Sequence, residues 1–308
     1  MHFGLHIQPD TIEAREADIY KELLQSAMWA EESGFKYFSV VDHLVPYNAQ
    51  GSSDAPSMDC WTTLGALAQA TDRINLLPLV INASIRQPSL VAQAAATLDL
   101  ISRGRMLLGI GAGGYKPEYV QHGIPYPSGT HRAQRLTESL QVIKRLWSED
   151  EVSFSGEFHE LRNATISPKP VHKPAVLVAG ASESVLNIAA AQGDMANVIL
   201  PGPAQAAKVK TRLDQLTEEL GRPAVKLTIL ERFIVRDTDQ DAKQSWSDGG
   251  SPSRNGYPGT VGSPSTIAQH LNSYAQAGVC TVFAFFRKGD LQSREMLAAQ
   301  IPDLAGHN

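Results

Sequence analysis

The spacing of hydrophobic and polar positions switches repeatedly along the chain between two rhythms. Short runs in which most residues are apolar occupy Phe3–Ile7, Lys36–Val41, Ile74–Ile81, Arg105–Ile110, Ala175–Ala179, Met195–Leu200, Lys226–Val235 and Thr281–Phe286, and they read as eight buried strands. Between them lie longer stretches with helical spacing. Glu16–Ser33 sets Ile19, Leu23, Ala27 and Ala30 on one face, and Pro88–Ile101 does the same with Val91, Ala94, Ala95 and Leu98. Pro88 suits a first helical turn, and Gly34 suits a helix end. Strict alternation of strand and helix predicts an α/β fold with a parallel sheet and helices outside. Eight repeats predict closure into a (β/α)8 TIM barrel, for which about 250 residues is typical. Residues 1–308 then form one domain with insertions. After a helix over Arg132–Trp147, the alternation in Val152–Glu160 around Ser155-Gly156 predicts an inserted hairpin, and the Gly/Ser/Pro-rich Trp246–Pro264 predicts a mobile loop, either a lid or merely disordered.

Within that frame the run LLGIGAGGYKPEY, residues 107–119, carries Gly109, Gly111 and Gly114 in the spacing G-x-G-x-x-G. A dinucleotide-binding fingerprint also needs a helix opening on the last glycine and an acidic residue about 20 positions on. Instead Tyr115-Lys116-Pro117 and then His122–Pro127 interrupt any long helix, so that reading fails. In a barrel, chemistry gathers at the C-terminal ends of the strands. That rule selects His6, Ile7 and Gln8, then Asp42 and His43, then Asn82, then Gly111 to Gly114, and finally Gly180, Ala181 and Ser182. Glycines closing the fourth strand would let backbone approach a flat or anionic ligand.

Bulk properties narrow the partners. The 308 residues are 43% hydrophobic and 19% charged, which suffices for a full core. A net charge of -5 and a pI near 6.0 argue against nucleic acid or an anionic membrane surface. No apolar run reaches membrane-spanning length, and MHFGLHIQPD lacks the layout of a signal peptide, so the expectation is a cytoplasmic protein. Cys60 and Cys280 read as structural thiols. The histidines, His122, His131 and His159 among them, show no metal-ligand spacing, and neither a G-x-S-x-G elbow nor a phosphate loop occurs.

The candidates each have a bland alternative. His43 at a strand end is placed for proton exchange near neutral pH, or is a hydrogen-bonded structural histidine. His6 points either into the core or towards the opening. The turn Gly180-Ala181-Ser182 opens a helix, so its amides suit a phosphate, though small residues also make a tight turn and Ser182 is a natural cap. Tyr47 and the loop 48–57 line a substrate pocket or are simply solvated, and Glu118 is a pocket residue or a helix-start residue.

Several stretches together resemble the luciferase-like monooxygenase superfamily: MHFGLHIQP, SVVDHLVP, RQPSLVAQAAATLDLISRGRMLLGIGAGG, HGIPYPSGTHRAQRLTESLQVIKRLW, SPKPVHKPAVLVAGASESVLNIAAAQGD and VGSPSTIAQHLNSYAQAGV. They run in the family's order over most of residues 1–286, and RQPSLVAQAAATLDLISRGRMLLGIGAG is the most specific. The resemblance implies a barrel that binds a flavin, either FMN or the 5-deazaflavin coenzyme F-420 (F420), and commonly a homodimer. In detail it is closer to the deazaflavin branch. There the pair corresponding to Asp42 and His43 sits at the reacting centre, with His43 exchanging the proton and Asp42 orienting it. An irregular peptide corresponding to Leu79-Val80, often non-prolyl cis and with Asn82 just beyond, backs the ring. Backbone at Ala112 and Gly113 approaches the coenzyme, and Gly180, Ala181 and Ser182 hold its phosphate. One departure stands out: branch members that oxidise sugar phosphates carry a glutamate where this chain has Gly114, which argues against such a substrate.

The function implied is hydride transfer between F420 and a small organic substrate, with ring and substrate oriented by the protein. Two alternatives are an oxygen-using monooxygenase with reduced FMN on the same fold, and a non-catalytic flavin-binding barrel.

Overall fold

In chain order the elements are β1 (His2–Ile7), α1 (Ile19–Glu32), β2 (Tyr37–Val40), α2 (Cys60–Ala70), β3 (Asn75–Pro78), β4 (Ile81–Asn82), α3 (Pro88–Ile101), β5 (Leu108–Gly111), α4 (Lys116–Gln121), α5 (Gly129–Ser148), β6 (Val152–Ser155), β7 (Glu160–Ala164), β8 (Val176–Ala179), α6 (Glu183–Gln192), β9 (Met195–Val198), α7 (Pro203–Glu219), β10 (Lys226–Val235), α8 (Asp239–Asp248), β11 (Thr260–Gly262), α9 (Pro264–Gln276), β12 (Val279–Phe285), α10 (Leu291–Ala298) and α11 (Ile301–Ala305). This computed structural model describes residues 1–8, 16–46, 57–199, 202–248 and 259–305.

The main sheet runs β3-β2-β1-β12-β10-β9-β8-β5-β4, with every pairing parallel. Its two ends, β3 and β4, are halves of one strand separated by Leu79 and Val80. The first half pairs with β2 and the second with β5, which closes the sheet into an eight-position barrel as the alternation predicted. An isolated bridge between Leu76 and Met106 helps to seal the seam.

Side chains alternate across this wall. Tyr37, Leu77, Leu79, Leu107, Leu177, Met195, Leu230 and Phe283 form the smaller apolar cluster, on alternate strand positions inside the barrel. Their neighbours, such as Phe38, Leu76, Leu108, Ile110 and Val178, pack in the larger cluster with helix residues including Leu23, Leu64, Val91, Leu136 and Leu140. Each such buried side chain stabilises by about 1.5–3 kcal/mol.

Four expectations change. The third strand is broken, not continuous over Ile74–Ile81. The inserted hairpin is antiparallel β6–β7 and extends to Ala164. Helix α5 begins at Gly129 rather than Arg132, because Ser128 caps it by accepting from the His131 amide even though its first turn has no apolar residue. The stretch Trp246–Pro264 is shorter as a loop than its composition suggests. Trp246 belongs to α8, Pro264 opens α9, and Thr260–Gly262 is a strand on the last residues of the ten-residue β10; residues 249–258 lie outside the described residues. Composition hid β11 because a three-residue strand between glycines and prolines has no period of its own.

Candidate active site

Just beyond β2 the chain presents Asp42 and His43 at the barrel mouth. Adjacent residues on extended backbone point to opposite sides, and these two have different partners. His43 keeps a quarter of its side chain exposed, and its Nδ1 lies 3.1 Å from Oε2 of Glu118. Glu118 itself is 1% exposed. Its Oε2 also accepts from the Leu44 amide at 3.3 Å, and its Oε1 accepts from Asn82 Nδ2 at 3.0 Å. A carboxylate so placed favours the imidazole tautomer with the proton on Nδ1 and helps to fix the ring plane. Tyr115 meets His43 edge-on at 5.6 Å between centroids.

Asp42 is directed elsewhere. Its Oδ1 accepts from Arg86 Nη2 at 2.6 Å and its Oδ2 from Arg86 Nε at 3.2 Å. Arg86 also reaches Asp59 Oδ2 at 3.1 Å, and Asp59 caps α2 through the Thr62 amide. These contacts raise the guanidinium's pKa further. The buried Cys60 thiol donates to Asp42 at 3.4 Å, and burial followed by the neighbouring carboxylate pushes it well up, so it is an inert thiol. The expectation that Asp42 orients His43 is therefore corrected: Glu118 orients it, and Asp42 anchors Arg86.

Asn82 ties the two sides together. Its Oδ1 accepts from the buried Tyr119 hydroxyl at 3.0 Å and from the Ser84 amide at 3.0 Å, while its Nδ2 serves Glu118. Its side chain is thus largely committed to the protein's own network. Gly113, at φ +78°, lies against it; a Cβ there would collide with Asn82 Oδ1 and the Tyr119 hydroxyl. The Ala112 carbonyl accepts from Ser84 Oγ at 2.8 Å.

The Leu79-Val80 peptide is cis. The glycine run now has its explanation. A Cβ on Gly109 would collide with the Pro78 carbonyl, and one on Gly111 would press on Val80 at 3.0 Å, so both glycines make room for the broken third strand rather than for a ligand. Gly114, by contrast, is exposed and faces open space.

His6 points inwards and is 1% exposed, with Nδ1 2.9 Å from Ser39 Oγ and its ring edge-on to Phe285. Burial, together with the nearby His43, lowers its pKa to about 3, so it stays neutral near pH 7. At the end of β8, Gly180 has φ +144° and donates its amide to Asn197 O at 3.0 Å. Ser182 caps the ten-residue α6 by accepting from Val185 N at 3.4 Å. Ala181 and Ser182 are exposed, and the leading amides of α6 other than that of Val185 lack an intrahelical acceptor, the arrangement that suits an anion. Tyr47 lies outside the described residues. No group of three or more potential metal ligands occurs among the described residues.

The profile of the luciferase-like monooxygenases matches residues 1–252. The chain belongs to the luciferase-like monooxygenase family. Among relatives of this luciferase-like protein is the F420-dependent glucose-6-phosphate dehydrogenase of Amycolatopsis mediterranei (strain U-32), 34% identical over 175 residues, covering 56% of this chain and 52% of the relative. The chain thus matches about half the length of that relative. The pyrimidine monooxygenase RutA of Acinetobacter baylyi (strain ATCC 33305 / BD413 / ADP1) is 28% identical over 235 residues, covering 74% of this chain and 62% of the relative. The solved F420-dependent secondary alcohol dehydrogenase in complex with an F420-acetone adduct shares the fold at TM-score 0.85 and 20% identity, over 98% of each chain.

Linear reading named Glu118 only as a pocket or helix-start residue and did not single out Arg86, whereas Cys60 is the structural thiol it expected. Glu118 and His43 stand 75 positions apart, and no periodicity links them. The one local signal was Pro117-Glu118 opening a short helix beside the glycine run.

Proposed function

We propose that this protein is an oxidoreductase that transfers a hydride between coenzyme F420 and a small organic substrate, and that the reaction takes place at the barrel mouth beside His43. The observation that carries this reading is the buried Glu118 carboxylate holding the His43 imidazole by Nδ1 at that mouth. Such a pair is built for proton transfer to or from an oxygen that is being oxidised or reduced. The relatives named for F420-dependent dehydrogenation support the coenzyme.

The residues present fit it. The backbone at Ala112 and Gly113 and the broken strand at Leu79 and Val80 border the mouth, and the exposed amides around Ala181 and Ser182 suit the phosphate. F420, when bound, supplies a two-electron hydride carrier that reacts poorly with oxygen. His43 would take the substrate proton during oxidation or deliver it during reduction. Glu118 would keep the ring in the productive tautomer and stabilise its protonated form, while Asp42 and Arg86 would hold the β2 terminus in place. His6, neutral at working pH, would fill the floor beneath without competing for the proton. Gly114 would leave the sugar-phosphate glutamate position empty, so the substrate would be something other than a sugar phosphate. We place the enzyme in the cytoplasm as a homodimer; no helix among the described residues is long and apolar enough to cross a membrane.

The relative that is a monooxygenase favours a second reading, oxygenation with reduced FMN. Fluorescence titration of the purified protein with F420 and with FMN separates the two. Micromolar or tighter binding of F420 alone is expected; tight FMN binding with oxygen-dependent turnover would replace the proposal.

A further inference from the structure

The inner wall of the mouth carries a row of facing residues across four strands. Register pairs Arg232 on β10 with Phe285 on β12, and His6 on β1 with Ser39 on β2; the outward-facing pair Leu5 and Ala284, which packs in the larger cluster, sets β1 against β12 one residue earlier. Contacts follow that row: the Arg232 guanidinium lies 5.3 Å from the centre of the Phe285 ring, and His6 meets Phe285 edge-on at 6.5 Å. His6 in turn feels the charge of His43. Arg232, Phe285 and His6 therefore stand side by side on the inner face of the barrel, on the side of His6 that His43 also approaches.

Arg232 is anomalous there. Its Nη1 is buried and makes no hydrogen bond, and no carboxylate lies within ion-pair distance of the guanidinium among the described residues. Its companions are aromatic: besides Phe285, Trp246 of α8 stands 5.9 Å away, with Arg287 on the same indole at 6.0 Å. The neighbouring cations are satisfied. Arg236 pairs with Asp290 at 3.0 Å, and Arg287 donates to the Ser245 carbonyl and hydroxyl in a cleft shared with Asp241 and Asp248. Glu231, next in sequence, binds the Tyr274 hydroxyl at 2.9 Å from the opposite side of the strand. Burial, with Arg287 behind it, lowers the Arg232 pKa. A half-buried guanidinium without an anion is costly to the fold. Aromatic walls leave its donors in a partly dry setting, where an oxyanion gains most.

We propose that Arg232 is the anchor for an oxyanion of the substrate, a carboxylate or a phosphate ester, whose reacting carbon then lies towards His43. The inference deepens the proposed redox function by naming a substrate class. It also has a readout that needs no coenzyme.

The test is calorimetric titration of the full chain with benzoate, phenyl phosphate and neutral benzamide, in the wild type and in Arg232→Gln and Arg232→Lys. A charge-assisted hydrogen bond of this kind favours benzoate or phenyl phosphate over benzamide by about tenfold or more. Whichever acid binds better identifies the oxyanion. The preference should vanish in Arg232→Gln and return in part in Arg232→Lys, with F420 affinity in both variants close to that of the wild type. Arg232→Gln should also melt at or above the wild-type temperature, since an unpaired cation is removed; a merely structural arginine would lower it. Equal binding of acid and amide, an acid preference that survives in Arg232→Gln, or loss of F420 affinity in that variant would each overturn the inference. Should the protein bind no F420 while the acid preference holds, the redox proposal fails and the anion site stands.

Discussion

The two ends of the barrel treat charge in opposite ways. Where the strands begin, charged side chains are spent on backbone. Arg105 donates to the carbonyls of Ala68, Thr71, Ile74 and Ser102, and the Glu31 carboxylate accepts from the amides of Asp72, Arg73 and Ile74. Asp99 receives Val171 and His172, and Asp194 receives Val176. At the other end His6 is buried and neutral, a buried carboxylate faces His43, and Arg232 has no counter-ion among the described residues. The contrast teaches that the closed end spends its charged groups on loop backbone, while the mouth pairs side chain with side chain, His43 with Glu118 and Asp42 with Arg86. This is the division of labour a parallel barrel permits, because the loops at its two ends vary independently.

The sharpest way to break this contrast is His43→Ala. Turnover with F420 should fall by about 10²–10⁴, measured by F420 absorbance, while coenzyme affinity is largely kept. Unchanged turnover would return His43 to a structural role. At the closed end, Arg105→Leu leaves several carbonyls without donors and should cost about 3 kcal/mol in urea unfolding, with kcat unaltered. Asp42→Asn tests where the boundary falls. It weakens a largely buried ion pair and should cost about 2 kcal/mol, with a smaller loss of turnover than His43→Ala. If the two variants lose turnover equally and Asp42→Asn keeps full stability, Asp42 serves the chemistry directly.

A pH experiment sharpens the comparison further. The folded-state pKa of His6 lies at about 3, below its ordinary 6.5. The unfolded chain therefore binds a proton that the folded chain refuses between those values, and stability present above pH 6.5 is lost as pH falls through that window. The slope is at most about 1.4 kcal/mol per pH unit, and it should be shallower in His6→Gln when urea midpoints are compared from pH 7 to 5. The smallest effect is expected for Gly114→Glu. With open space around it and no positive φ, the change should shift stability by less than about 0.5 kcal/mol, and any new turnover of a sugar phosphate would show that this position selects the substrate.

How much of this was legible beforehand differs by scale. The barrel could be read because buried parallel strands are apolar throughout and the intervening helices keep a 3.6-residue stripe. Pro88–Ile101 was located to the residue because proline marks its start. The broken third strand was not legible from periodicity, since Ile74–Ile81 is apolar on both sides of the break; only the family resemblance pointed to Leu79-Val80. At the site, the strand-end rule listed His43, His6 and Asn82 among its candidates, while the family resemblance paired His43 with its sequence neighbour Asp42. Arg232 went unnoticed because an arginine in an apolar strand reads as an interruption, and its lack of a counter-ion among the described residues is visible only when neighbouring strands are in place.

By itself, then, the order of residues determined the alternating elements, their closure into a ring and the end at which reactive side chains collect, because these follow from local backbone preference and from the faces each segment must bury. Only the tertiary structure decided which carboxylate meets His43, why Gly109 and Gly111 must be small, and that Arg232 has no carboxylate partner among the described residues. Those are contacts between segments dozens of residues apart, and their energies depend on distance and on the exclusion of water rather than on sequence spacing.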